Sequence, residues 1–142
     1  MKNEIIRELG GFVAKHRYAR ISSRKARLVA DVIRGRNAND ALEILELMPQ
    51  RGSAFFAKIV GSAIANASQD DSVDTNDLII VDCRADDGPM LNNRLRYRPG
   101  PQGRAMPYAK KTAHLTVIVA PLSAVDSGAG LAADSDLSLI HI

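Results

Sequence analysis

DGPMLNNRLRYRPGPQGRAMPYAKKT, residues 87–112, carries no acid after Asp87 and gathers Arg94, Arg96, Arg98, Arg104, Lys110 and Lys111. The stretch is rich in Arg, Pro and Gly and poor in large hydrophobes, so it cannot build a core of its own. Such a segment is either disordered or a long hairpin that folds against another molecule. With a tip near Pro99-Gly100-Pro101, each arm of a hairpin would hold about 12 residues and reach roughly 40 Å at about 3.3 Å per residue. Strand candidates flank it at residues 78–85 and 113–120. In the second, Ala113, Leu115, Val117 and Val119 share one face, with His114 and Thr116 on the other.

Upstream of these strands the pattern becomes helical. Residues 14–21, Ala-Lys-His-Arg-Tyr-Ala-Arg-Ile, read as an extended basic segment. Ser22 or Ser23 supplies a cap for a helix whose Ala26, Val29, Ala30 and Ile33 recur at helical spacing. Gly35 is its natural stop. Asn39 is expected to cap a second, short helix with Ala41, Leu42 and Leu45 as its apolar face, and Pro49 separates it from a third. The third helix is predicted over 51–67, with Phe56, Ile59, Val60, Ala63, Ile64 and Ala67 on one side. Gly61 inside it costs on the order of 1 kcal/mol relative to Ala, which packing must offset. Residues 69–77 form a polar, acid-rich loop.

The ends read differently. Residues 1–13 form an N-terminal extension with a short helix ending at Gly10-Gly11, and 14–120 form one domain whose hairpin spans about 87–112. Residues 121–142 read as a disordered tail. Leu137-Ser138-Leu139-Ile140-His141-Ile142 has a back-translation that matches a common sequencing adapter, so the natural chain is expected to end before it.

Charge is sorted along the chain in a way the net +3 conceals. Residues 1–36 carry ten Lys/Arg against Glu4, Glu8 and Asp31, whereas residues 37–87 carry ten acids against Arg51, Lys58 and Arg84. Residues 88–120 carry six bases and no acid. Two basic stretches on a compact protein are the footprint of a polyanion binder. Cations can neutralise phosphates and release counterions, and the planar Arg fork suits bidentate phosphate contacts. A solvated charged surface is the plainer alternative, but such a surface usually mixes signs. Aromatics are 4% and Trp is absent, so the core is aliphatic and base stacking on aromatic platforms is not the main binding mode. The lone Cys83 excludes an internal disulfide and reads as a small buried hydrophobe. No apolar run reaches the roughly 18 residues of a membrane span and no signal-peptide pattern is present, so a soluble, cytosolic protein is expected.

Catalytic readings fail on composition. His16, His114 and His141 belong to no HExxH, CxxC or GxSxG grouping. Asp70, Asp71, Asp74 and Asp77 lack the glycine and closing Glu of a calcium loop. No catalytic residue, metal or cofactor is expected.

Several motifs in register then resemble one family. Arg20-Ile21-Ser22-Ser23-Arg24-Lys25-Ala26-Arg27-Leu28-Val29-Ala30-Asp31-Val32-Ile33-Arg34-Gly35 is similar to the first-helix signature of bacterial large-subunit ribosomal protein L twenty-two. Ser62-Ala63-Ile64-Ala65-Asn66-Ala67, Asp87-Gly88-Pro89, Gly103-Arg104-Ala105 and Lys110-Lys111-Thr112-Ala113-His114-Leu115-Thr116-Val117 follow in order. The resemblance covers residues 14–120. It implies an α+β fold, three helices on a small three-stranded antiparallel sheet with a long projecting basic β-hairpin. It also implies a non-enzymatic constituent of the large ribosomal subunit, cytoplasmic, that binds large-subunit ribosomal RNA and assists early assembly. The implied partners are that RNA, neighbouring large-subunit proteins and the nascent peptide at the tunnel wall, with no membrane. By position, His16, Arg20, Ser22, Arg24, Lys25 and Arg27 match the RNA-contacting strand and helix start. Arg94, Arg98, Gly103 and Arg104 match the hairpin and Lys110, Lys111, Thr112 and His114 its return arm, Arg96 is a further RNA-binding candidate on the arm, and Pro99, Gly100, Pro101, Gln102 and Gly103 are the implied tunnel tip. Departures are Asn92-Asn93, where Lys-Arg is common, a tip lengthened by Pro99-Gly100-Pro101-Gln102, and a less basic Met106-Pro107-Tyr108. A DNA-binding or regulatory RNA-binding module would want a dimer interface or a base-reading helix, and an enzyme would want a polar catalytic cluster; neither is evident.

Overall fold

A computed structural model describes residues 10–129. The expected helix before Gly10-Gly11 and the segment from 130 onward, with its terminal hexapeptide, lie outside the described residues. Strand β1 (Phe12–Ala19) leads into helix α1 (Ser23–Ile33), followed by α2 (Ala38–Leu47) and α3 (Arg51–Ser68). The chain then enters the long strand β2 (Leu78–Met90), the short pair β3 (Arg96–Pro99) and β4 (Ala105–Tyr108), and returns through β5 (Lys111–Pro121) to helix α4 (Leu122–Ala129).

The predicted helical stripes are the ones buried. Ala26, Val29, Ala30 and Ile33 of α1 and Phe56, Val60, Ala63 and Ala67 of α3 are fully buried, against Leu78, Ile80, Cys83, Leu115, Val117 and Val119 of the sheet. Gly52 lets α3 approach α1: a Cβ there would sit 3.2 Å from both Ile21 Cδ1 and Val29 Cγ2. Asn66 Nδ2 ties the end of α3 to β1 by donating to the Val13 carbonyl at 3.2 Å. One local reading is corrected, and the expectation that packing holds the turn at Gly61 is met. The second helix is capped by Asn37, not Asn39; the Asn37 side chain accepts from the Asn39 amide at 3.0 Å. Gly61 is exposed, and a Cβ there would meet nothing within 4 Å, so no contact of its own offsets its propensity cost; Ile59, Val60 and Ala63 hold the turn.

The sheet order is β1-β5-β2, with β5 antiparallel to both neighbours. A central strand is shielded on both faces, which explains why Thr116, Ile118 and Ala120 are buried alongside the predicted apolar face. Lys15 and Arg84 flank Thr116 in register and their long stems can cover it. The outer edge of β2 is covered by α1 and the segment after it: the Gly35 amide donates to the Ile80 carbonyl and the Ile80 amide to the Arg36 carbonyl, both at 2.9 Å, while Arg34 donates to the Cys83 carbonyl from Nη2 at 2.6 Å and Arg27 to the Ala85 carbonyl from Nε at 3.1 Å. The acids of the 69–77 loop also have local roles. Asp70 accepts from the Ser72 amide and hydroxyl, and Asp74 accepts from the Asn76 amide.

Strand β2 outruns the predicted 78–85 by five residues and stays paired with β5 as far as Met90↔Lys111. Past it the two branches continue as a hairpin, β3 pairing β4 from Arg96↔Tyr108 to Pro99↔Ala105. The turn is centred on Gln102 and Gly103, both at positive φ (60° and 72°), at the C-terminal end of the Pro99–Gly103 tip read from sequence. Asn92 and Asn93 are also left-handed (φ 56° and 53°), re-aiming the arm where β2 ends; Asn tolerates this conformation better than Lys or Arg would. Within the segment read as a disordered tail, Leu122–Ala129 is helical.

Candidate nucleic-acid interface

Where the hairpin leaves the domain, the fold collects cations from four parts of the chain. Two adjoining clefts, of about 280 and 240 Å³, share Arg20, Arg51, Lys110 and Lys111 in their walls. Lys25 completes one and Arg96 the other, and no carboxylate lines either. Arg20 follows β1, Lys25 lies in the first turn of α1, Arg51 opens α3, and Lys110 and Lys111 begin the return into β5. None of these six makes an ion pair among the described residues, where only Arg27, Arg34 and Arg84 do. Like charges gathered without counter-charge raise the free protein's energy and hold a field attractive to a polyanion.

Helix α1 adds to this field. It has no acid in its first turn and no side-chain cap bond from Ser22, so its leading amides and positive dipole end stand beside Arg24 and Lys25. Its Ser23 is turned elsewhere: the hydroxyl donates to Asp87, which sits at the hairpin base. That bond first, then the charges of Arg27 and Lys111, holds the Asp87 carboxyl below its ordinary value.

The predicted residues separate into groups. Arg20, Ser22, Lys25, Arg96, Lys110 and Lys111 converge on the clefts, and Arg24 is exposed nearby on the same turn as Lys25. His16 lies outside them; its ring is 5.8 Å from Phe55, over which Arg51 is placed at 5.9 Å. Arg27 is tied to β2 and Asp87. Thr112 also lines one of the clefts, but it is buried and its hydroxyl donates to the Pro89 carbonyl at 2.5 Å, closing the hairpin base. His114 lies on the sheet face away from the helices, its Nδ1 accepting from the Tyr18 amide at 3.1 Å.

Along the arm, residues 92–99 and 101–107 are all exposed, including Arg94, Arg98 and Arg104. Internal contacts brace it. The Arg98 guanidinium stacks 4.3 Å from the Tyr108 ring, and Arg96, with Arg98 behind it, holds the Tyr108 phenol below its ordinary value. At the tip the Gly100 amide donates to the Arg104 carbonyl at 2.6 Å, and a side chain at Gly100 would meet that oxygen at 2.9 Å. A projecting, cation-lined ribbon rooted in a cationic cleft is electrostatically suited to a polyanion. The model of the family Ribosomal protein L22p/L17e matches residues 14–120, which include the arm and the first basic stretch from residue 14 onward.

The chain belongs to that family. It is therefore a large-subunit ribosomal protein associated with large-subunit ribosomal RNA, and its family is structural, not enzymatic. No described helix is long and apolar enough to cross a membrane. Cys83 is fully buried, and burial pushes its thiol up to about 12, as expected for an inert core residue. Arg51 is the cleft residue that sequence reasoning missed. It stands in the acid-rich segment, and only the packing of α3 against β1 and α1 carries it to the other cations.

Proposed function

We propose that the arm threads between segments of large-subunit ribosomal RNA, that its tip at Pro99–Gly103 helps line the nascent-peptide exit tunnel, and that this anchoring assists early subunit assembly. The observation that carries the reading is the exposed, acid-free arm, with Arg94, Arg96, Arg98 and Arg104 turned to solvent and only local contacts bracing it. RNA supplies the packing partner and the counter-charge together. The clefts of Arg20, Lys25, Arg51, Lys110 and Lys111 take phosphates at the root of the arm, with Arg24 and His16 beside them. Neighbouring large-subunit proteins are met through the remaining surface, and the tip meets the nascent peptide.

Co-sedimentation of tagged protein with ribosomal subunits, at low and at high salt, tests this. Exposed phosphate contacts alone weaken steeply with salt, whereas a threaded arm is held by enclosure. Retention on the large subunit through the high-salt wash is the expected result. Release to the top of the gradient would mean surface electrostatics only and would remove the threading reading.

A further inference from the structure

Strands β3 and β4 form a two-stranded sheet of their own, so each has an outer edge with no neighbouring strand among the described residues. An open edge is a template on which another chain can add a strand. The outer edge of β2 is covered by α1 and the segment after it, but nothing comparable lies beside the arm. Tyr97 and Met106 are largely exposed there, which adds apolar surface to the same hazard.

The register decides which main-chain groups point outward. Along an antiparallel pair, residues that exchange N–H···O bonds alternate with residues that do not. The Gly100 amide donates inward to the Arg104 carbonyl, so Arg98↔Met106 and Arg96↔Tyr108 are the next bonded pairs, with Pro99↔Ala105 and Tyr97↔Pro107 between them. Tyr97 and Pro99 therefore turn their main-chain groups to the outside of β3, and Ala105 and Pro107 turn theirs to the outside of β4. Proline has no N–H. Each edge is left with a single outward donor, Tyr97 on β3 and Ala105 on β4, and the ladder inside the ribbon is undisturbed. Charge protects the two edges unequally. Arg96 and Arg98 belong to β3, whereas β4, Ala105-Met106-Pro107-Tyr108, has no charged side chain.

We propose that Pro107 keeps the free chain monomeric by closing the β4 edge to a second copy of this chain. Two copies meeting edge to edge at β4 about a two-fold axis would run antiparallel, in a four-stranded sheet with the β3 strands outermost. Their Arg96 and Arg98 would then stand three strand spacings apart, about 14 Å, beyond the roughly 8 Å Debye length at physiological salt. Repulsion between the arginines is too weak at that range to prevent this contact, and a missing donor acts at any salt. A donor restored at position 107 would be used twice, once from each copy, and tightens self-association about thirtyfold. The inference concerns the chain before it meets RNA and does not rest on the RNA-binding reading.

Sedimentation equilibrium of the full chain, free of RNA, over a concentration series at low and at high salt tests this. Pro107→Thr is expected to form dimers at concentrations about thirtyfold below those at which the parent begins to do so. The difference is clearest at high salt, where the flanking Arg104 and Lys110 are screened. The Ala105 amide is expected to gain protection from hydrogen exchange in the dimer. Adding Ala105→Pro removes the last outward donor of β4 and returns the variant to the monomer. Arg104 is already extended (φ −72°, ψ 138°), as a residue before proline must be, and residues 101–107 are exposed, so neither change reaches the core. A Pro107→Thr protein as monomeric as the parent at both salts would overturn the proposal. So would self-association that Ala105→Pro does not reverse, or a parent that already dimerises through this edge.

Discussion

Replacing Gly88 by Ala tests whether the root of the arm is closed as tightly as the backbone implies. A Cβ at Gly88 would lie 2.5 Å from Thr112 Oγ1 and 3.0 Å from the Thr112 carbonyl oxygen. Rotating the Thr112 hydroxyl relieves the first contact but breaks its bond to the Pro89 carbonyl, at about 1 kcal/mol. The second contact is with backbone, so β2 and β5 must separate slightly, and overpacking of this kind costs roughly 1–3 kcal/mol. The expected loss is about 2–4 kcal/mol. Gly61→Ala is the matched control. Its Cβ would meet nothing within 4 Å, and mid-helix Gly→Ala is expected to stabilise the free protein by roughly 0.5–1 kcal/mol. Urea unfolding of the isolated chain reads both, as opposite shifts of the midpoint at constant slope. A Gly88→Ala protein within about 0.5 kcal/mol of the parent, or a Gly61→Ala protein that loses stability, would refute the reasoning.

Three further outcomes are expected. Arg94→Glu with Arg98→Glu should impair incorporation into large subunits while moving the unfolding midpoint little, since both residues are exposed and only the Arg98–Tyr108 stack is lost; normal incorporation would sink the arm-on-RNA account. Asp87 has its folded pKa below the unfolded value of 3.8, so its contribution is present above about pH 4 and is lost as pH falls through the folded value. Asp87→Asn should therefore melt lower than the parent near pH 5 and converge with it on acidification, and a gap independent of pH would contradict the Ser23–Asp87 bond. Cys83, buried and with its thiol raised to about 12, should resist a thiol reagent at pH 8 in native protein and react promptly in denaturant; fast native labelling would show that the core opens there.

Much of this molecule follows from local rules. The helices were readable because Ala26, Val29, Ala30 and Ile33, and likewise Phe56, Val60, Ala63 and Ala67, repeat at the period of the structure they form. The arm was readable because an acid-free stretch without large hydrophobes cannot fold inward, and the motifs at residues 20–35 and 110–117 carried the family. Caps and turns were less readable, since Asn37 and Asn39 are equally good cap residues and only the backbone path chooses between them.

Tertiary structure decided which cations are free. Arg24, Lys25, Arg27 and Arg34 look alike in sequence, yet Arg27 and Arg34 bond to carbonyls on the outer edge of β2 while Lys25 faces the cleft. Arg51 enters the site from an acidic segment, and Lys15, Arg17 and Arg84 meet through strand register. The reason is one of range. Periodicity and composition act over a few residues and determine which segments are helix, strand or arm. Charge acts through space, so its partners are set only when the packed core brings distant segments to within a few ångströms of one another.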